Sequence, residues 1–371
     1  MMKKNFERKN FFLTSPKCAL FFSEVFSLMP STENKVLESA KFIAEHSQHV
    51  SIPQENIDSA AKTIMHNMKK RQYSTKTWNE HPLHPKTADC RTVDWIFLID
   101  LLNFSFWSDL DVSDKKTPHP DRYAIHYEGQ AYTGYWSLCA AINRALDHEI
   151  PITDPAYYGK KASDSELAEI FKSDTKEPAP MLSERIRVMR EAGKVLCEKF
   201  DGSFVNCIIQ AEHSAAKLLD IIITNFGSFH DVHEFHGRKV YILKRAQILI
   251  ADLWACFDNT SYGQFDDIDS VTMFADYRVP QALYQLGLLR YSAELVEKLE
   301  KRIYFPSGSN DEVEIRGNSI WVVELVRERI SKIDPSLKIN AILIDFYVWD
   351  MAKEIQDQMT VPTHCTRSCF Y

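Results

Sequence analysis

The chain has 371 residues, 45% of them hydrophobic and 26% charged, with a net charge of −7. That is enough chain and enough apolar material for one large domain, or two that share a core. No apolar run reaches the ~18 residues of a membrane span. An acidic balance also argues against a stable nucleic-acid partner, because gripping a polynucleotide calls for a basic face. A small phosphorylated ligand needs only one or two cations.

The first 13 residues, MMKKNFERKNFFL, are basic, but no long apolar stretch with a cleavage site follows. They read as an N-terminal extension over residues 1–30, with an amphipathic targeting segment as the alternative. Residues 31–371 read as a single α-rich domain. The eight cysteines have no repeating spacing, which fits reduced thiols in the cytoplasm, or in the nucleus. Only His364, Cys365 and Cys369 cluster locally, and they lack the second half of a zinc site, so no metal is expected.

Helical periodicity dominates. Val36, Leu37, Ala40, Ile43 and Ala44 form one stripe, with Ser31 and Thr32 as cap candidates. Ile57, Ala60, Ala61, Ile64 and Met68 form a second, and Leu138, Ala141, Ile142, Ala145 and Leu146 a third that Pro151 helps to stop. An apolar helix after Asp94 runs into Asn103-Phe-Ser-Phe-Trp107, either core packing or the wall of an aromatic pocket. Further helices are expected over 182–199, 204–224, 241–257, 280–288, 292–303, 318–333 and 338–357. Segments 74–92, 108–122 and 159–180 are polar and proline-bearing, and read as linkers. Near-alternating residues flank Glu128-Gly129-Gln130 and His236-Gly237-Arg238, so two β-hairpins are expected.

The sequence has no GxGxxG, GxxxxGK[ST], HExxH or GxSxG motif, which sets aside dinucleotide, Walker-type, zincin and α/β-hydrolase chemistry. No cofactor is called for. Lys244 shares a helical face with Ile248 and Ala251. Such a lysine either snorkels to solvent or, held in place, becomes useful in catalysis. Arg245 and Gln247 are expected on the wetter side. Asp276 lies just before a helix that Pro280 helps to start and Gly287 to stop. It is either a cap or a carboxylate at a helix mouth, with Phe274 beside it as a stacking surface. A Lys/Asp couple of this kind is similar to that of helix-hairpin-helix DNA glycosylases, although Gln285-Leu-Gly287-Leu-Leu289 lacks their double glycine. Glu312-Val-Glu-Ile-Arg-Gly317 and Ile344-Asp-Phe-Tyr-Val-Trp-Asp350 complete the chemistry-bearing stretches.

These stretches, with Gly134-Tyr-Trp-Ser-Leu-Cys-Ala-Ala141, Ile150-Pro-Ile-Thr153, Lys244-Arg-Ala-Gln247 and Phe274-Ala-Asp-Tyr-Arg278, resemble the queuosine salvage protein family from about residue 35 onward. The resemblance implies a mainly α, DNA-glycosylase-like body. It also implies hydrolysis of queuosine 5′-phosphate to queuine and ribose 5-phosphate, in support of tRNA queuosine modification. Carried over by position, the catalytic carboxylate falls on Asp276 and its supporting lysine on Lys244. Contacts to the base fall on Phe274, Asp345, Phe346 and Asp350, and His49 matches a further position. Arg278 and Arg316 are the expected phosphate cations. A glycosylase of other specificity and a non-catalytic helical binding protein are the alternatives.

Overall fold

In the computed structural model, which describes residues 34–112 and 119–371, helices form along the apolar stripes, and a capping side chain starts several of them. The extension over 1–30 and the caps Ser31 and Thr32 lie outside the described residues. Helix α1 (Lys35–His46) buries Val36, Ala40 and Ile43, and a two-residue strand β1 (Val50–Ser51) leads to α2 (Ile57–Lys70). Asp89 caps α3 (Cys90–Leu101) by accepting from the N–H groups of Arg91 and Thr92. α3 is buried along nearly its whole length.

Both expected hairpins form. β2 (Ile125–Tyr127) pairs with β3 (Gln130–Tyr132), and β4 (Val232–Phe235) with β5 (Arg238–Tyr241). Their two-residue turns, Glu128-Gly129 and His236-Gly237, all have positive φ, the geometry that suits the twist of a tight hairpin. Between them lie α4 (Tyr135–Asp147), α5 (Asp164–Ile170), α6 (Leu182–Lys199), α7 (Val205–Ala211) and α8 (Ala215–Asn225).

The structure differs from the sequence expectation at several places. The polar segment 159–180 holds α5, started by a Ser163/Glu166 capping box. The helix expected over 204–224 breaks at Glu212 and His213, both with positive φ. There Asp267 accepts from Ser214 Oγ and from the N–H groups of Ala215 and Ala216, starting α8 afresh. A third small sheet joins β1 to β6 (Arg290–Tyr291), a pairing too short to leave a sequence pattern.

After β5 come α9 (Lys244–Cys256), α10 (Arg278–Gln285), α11 (Ala293–Glu300), α12 (Asn310–Ile333) and α13 (Ala341–Glu354), with β6 between α10 and α11. α12 starts eight residues before the expected 318, because its charged first turns are satisfied internally. Glu314 accepts from the N–H groups of Gln48, His49 and Val50, tying β1 to the helix. Gly317 lets α1 approach closely, since a Cβ there would lie 2.5 Å from Ile43. Residues Lys35–Tyr371 thus share one core around α3, α9, α12 and α13. No described helix is long and apolar enough to cross a membrane.

Candidate functional site

Helices α9, α10 and α13 converge on a cavity of about 990 Å³. Of the candidate catalytic and substrate-binding residues, all but His49 and Arg316 line it.

The first wall is α9. Lys244, Ile248 and Asp252, spaced i, i+4, i+8, present one helical face to the cavity. Lys244 opens the helix, its N–H donating to Asp231 Oδ2 at 3.1 Å. Its ammonium forms no ion pair or hydrogen bond with a described residue, although the side chain is only 5% exposed. Burial pushes the Lys244 ammonium below its usual range, while the charges of Asp276 and Asp100 oppose that shift.

The expectation that Arg245 and Gln247 face water is overturned, as each is 1% exposed. Arg245 donates to the carbonyls of Leu101 and Ser228. These include a carbonyl at the end of α3 that has no partner within the helix. Gln247 Oε1 accepts from Thr272 N at 2.9 Å, anchoring the segment that leads to Asp276.

That segment is held at two further points. Phe274 N donates to Asp345 Oδ1 at 3.0 Å, and Ala275 O accepts from Arg316 Nε at 2.8 Å. Asp276 then reconciles its two sequence readings. Its Oδ1 accepts from the N–H groups of Arg278 and Val279, both at 2.8 Å, and so caps α10. The same carboxylate lines the cavity, and its Oδ2 bonds to no described residue.

On α13, Asp345 and Phe346 face Phe274, with the two rings 6.0 Å apart. Burial pushes the Asp345 carboxyl well above the usual carboxylate range. Asp350 is also raised by burial, against a hydrogen bond donated by Tyr73 Oη. Phe106 and Trp107 form another wall, while Phe104 of the same motif is buried in the core under Arg185. Both readings of that motif therefore hold, for different rings.

Arg278 has company that the sequence did not reveal. Arg122, Arg302 and Lys353 line the same cavity, from segments far apart in the chain. Arg122 pairs through Nη1 with Asp111 at 3.1 Å, while its Nε is buried without a hydrogen-bond partner. Lys353 is open to the water of the cavity yet ringed by protein. Burial, together with the charges of Arg278 and Arg122, pushes its ammonium down to about 8. Like charges gathered this closely, with a donor unspent, make an anion site.

Segment 74–92, expected as a linker, also supplies cavity wall. His81 stacks on Trp136 with centroids 3.3 Å apart, and His84 stacks on Trp78 at 3.9 Å. Burial pushes these imidazoles down, to about 4 and about 3 respectively, so both are neutral near pH 7.

The two remaining residues sit elsewhere. His49, fixed beside β1 by Glu314, turns its Nδ1 to Ser292 Oγ at 2.9 Å and does not line the cavity. Arg316 is fully buried and bound to Asp231 and Glu312, with its guanidinium 3.9 Å from the Tyr371 ring centroid. Its charge is already neutralised, so it is not free to bind a phosphate. His364, the one histidine beside the C-terminal cysteines, is committed to Tyr371 Oη at 3.1 Å.

Residues 83–371 match the model of the queuosine salvage protein family. The chain belongs to that family. It is 45% identical over 350 residues to the queuosine 5′-phosphate N-glycosylase/hydrolase of Schizosaccharomyces pombe, covering 91% of this chain and 100% of that one. To the protein of the same description from Mus musculus it is 44% identical over 341 residues, covering 90% and 98%. To the one from the bacterium Sphaerobacter thermophilus it is 37% identical over 342 residues, covering 92% and 99%. The family match takes in Lys244, Asp276, Asp345 and the cation group, and begins just after His81.

Proposed function

We propose that the chain hydrolyses the N-glycosidic bond of queuosine 5′-phosphate, releasing queuine and ribose 5-phosphate. The observation that carries this reading is one cavity holding a carboxylate with a free oxygen, an unpaired buried lysine, an acidic aromatic pocket and a group of four cations. Breaking the bond builds oxocarbenium character on the ribose, which the Asp276 carboxylate stabilises directly. Lys244 supports the charge of Asp276 through space and has its ammonium free for substrate. The base lies against Phe274 and Phe346, where Asp345 and Asp350 meet its cationic amine and guanine-like edge. Arg278, Arg122 and Lys353 hold the 5′-phosphate. The helix-hairpin-helix kinship belongs to the same reading, supported by α10 and α11 flanking a segment that holds Gly287 at φ +70° and strand β6. The released queuine would serve tRNA queuosine modification in the cytoplasm, or in the nucleus.

The test is hydrolysis by purified protein of queuosine 5′-phosphate, of the unphosphorylated nucleoside and of a queuosine-containing tRNA, with products identified by mass. The monophosphate is expected to turn over fastest and the tRNA not at all. Comparable turnover of the tRNA would overturn this reading in favour of a nucleic-acid glycosylase. No turnover of any of the three would leave a binding protein.

Two further results are expected. Asp345→Asn and Asp350→Asn should weaken binding of free queuine roughly tenfold or more, measured by calorimetry, because each removes an acidic partner of its polar groups. The chemical rate at saturation should change less. The second concerns pH. Lys353 is cationic below about 8 and neutral above it, so the KM for the monophosphate should climb as pH rises from 7 to 9. In Lys353→Met the KM should be higher at pH 7 and nearly flat over that interval. A wild-type KM that stays constant to pH 9 would remove Lys353 from the phosphate site.

A further inference from the structure

Asp252 is left unused by the mechanism above, although it is 4% exposed and shares the cavity-facing stripe of α9 with Lys244. Behind it, on α3, lies Asp100, which is fully buried. Asp100 Oδ1 accepts from Asn103 Nδ2 at 3.1 Å, while Oδ2 is buried with no hydrogen-bond partner. Two carboxyls buried in each other's field do not both ionise readily, which favours a pair that keeps one proton.

Asp100 of α3, Trp78, Tyr135 and Cys139 of α4, Asp345 of α13, and Lys244 and Cys256 on its own helix face Asp252, and the Trp78 indole N–H donates to its carboxyl. Burial pushes the Asp252 carboxyl well above the usual range, and Asp100 adds to the shift. Burial also raises Asp100, to about 7. The pair therefore retains a proton at neutral pH, on the wall of the cavity that also holds Asp276, whose carboxylate already caps a helix.

The chemistry of the substrate supplies the need. A 7-deazapurine has carbon where a purine has N7, so the departing base cannot take a proton there. We propose that Asp252 is the acid that protonates a ring nitrogen of the departing base, with Asp100 behind it as a positioning residue. As the C1′–N bond breaks, its electron pair stays with the base and the Asp252 proton moves to a ring nitrogen, so that the ring system leaves uncharged. Water gives a hydroxyl to C1′. The proton that water releases returns to Asp252 through the cavity solvent, so the sum is hydrolysis with no other reactant.

This inference rests on the proposed N-glycosidase activity, so wild-type turnover is measured first. No turnover sinks that activity, and this inference with it. With wild type active, single-turnover rates for wild type, Asp252→Asn and Asp252→Glu are followed from pH 6 to 10, alongside binding of free queuine and melting temperature. Wild type should lose rate on the alkaline side as the acid deprotonates. Asp252→Asn should be slower by roughly 10²–10⁴-fold, lack that alkaline limb, and bind queuine within about threefold of wild type. Asp252→Glu should recover part of the rate together with the limb. A rate for Asp252→Asn within threefold of wild type would overturn the assignment. So would an alkaline limb that persists in Asp252→Asn, since it would then belong to Lys244. Parallel loss of queuine binding and melting temperature in both variants would assign Asp252 to the cavity wall alone.

Discussion

Asp276→Asn is expected to lower the single-turnover rate on queuosine 5′-phosphate by roughly 10²–10³-fold while leaving substrate affinity within a few-fold of wild type. The two oxygens of this carboxylate do different work. Oδ1 caps α10 through the N–H groups of Arg278 and Val279, and an asparagine carbonyl can do the same. The melting temperature should therefore hardly move. Oδ2, which meets no described residue, carries the charge that faces the ribose, and the amide removes that charge without changing the shape. Substrate and transition state differ at this point in the sugar's positive charge, so the loss falls on rate rather than on binding. Lys244→Met should show a smaller rate loss, because its ammonium influences Asp276 through space rather than by contact. Near-normal turnover of Asp276→Asn would reduce the residue to a helix cap.

How far the sequence reaches can be judged at individual residues. Helices such as α4 and α6, and the two hairpins, rest on local periodicity and on turns that demand positive φ, so a single stretch of chain suffices to show them. Lys244, Asp276, Asp345 and Asp350 stood out because each is a charged group on an otherwise apolar element. The errors share another cause. Arg245, Gln247 and Arg316 look available to water or ligand, yet their partners, a carbonyl, the Thr272 N–H and a carboxylate respectively, lie tens to more than a hundred residues away. Arg122, Arg302 and Lys353 were missed for the same reason, since no local pattern marks them. Their common purpose exists only once the segment before β2, the segment after α11 and helix α13 meet at the cavity.

Arg316 supplies the largest expected effect on stability. The need of a phosphate for cations makes it a candidate phosphate cation in the sequence, and in that role Arg316→Met would raise KM and spare the fold. The structure instead puts its guanidinium between Asp231 and Glu312, with Nη2 2.6 Å from Asp231 Oδ2 and Nη1 2.9 Å from Glu312 Oε1. Nε also holds Ala275 O, one residue before Asp276. Methionine would leave two buried carboxylates without their cation, a change that typically costs about 3–5 kcal/mol. The pH dependence follows from Asp231. Burial alone would raise its carboxyl, but Arg316 and His233 outweigh burial and hold it well below the usual range. In wild type that contribution is present above the unfolded value of ~3.9 and is lost as pH falls through the lower folded value. In Arg316→Met the main cation is gone, so burial should raise Asp231 above ~3.9. Its ionised form then destabilises the fold at neutral pH, and protonation at lower pH relieves the penalty. The gap in unfolding free energy between wild type and Arg316→Met, from urea melts, should thus be widest near pH 7 and narrow toward pH 4. A variant with wild-type stability and a raised KM would return Arg316 to the phosphate site, but a buried guanidinium already shared between two carboxylates has no charge left for a third anion.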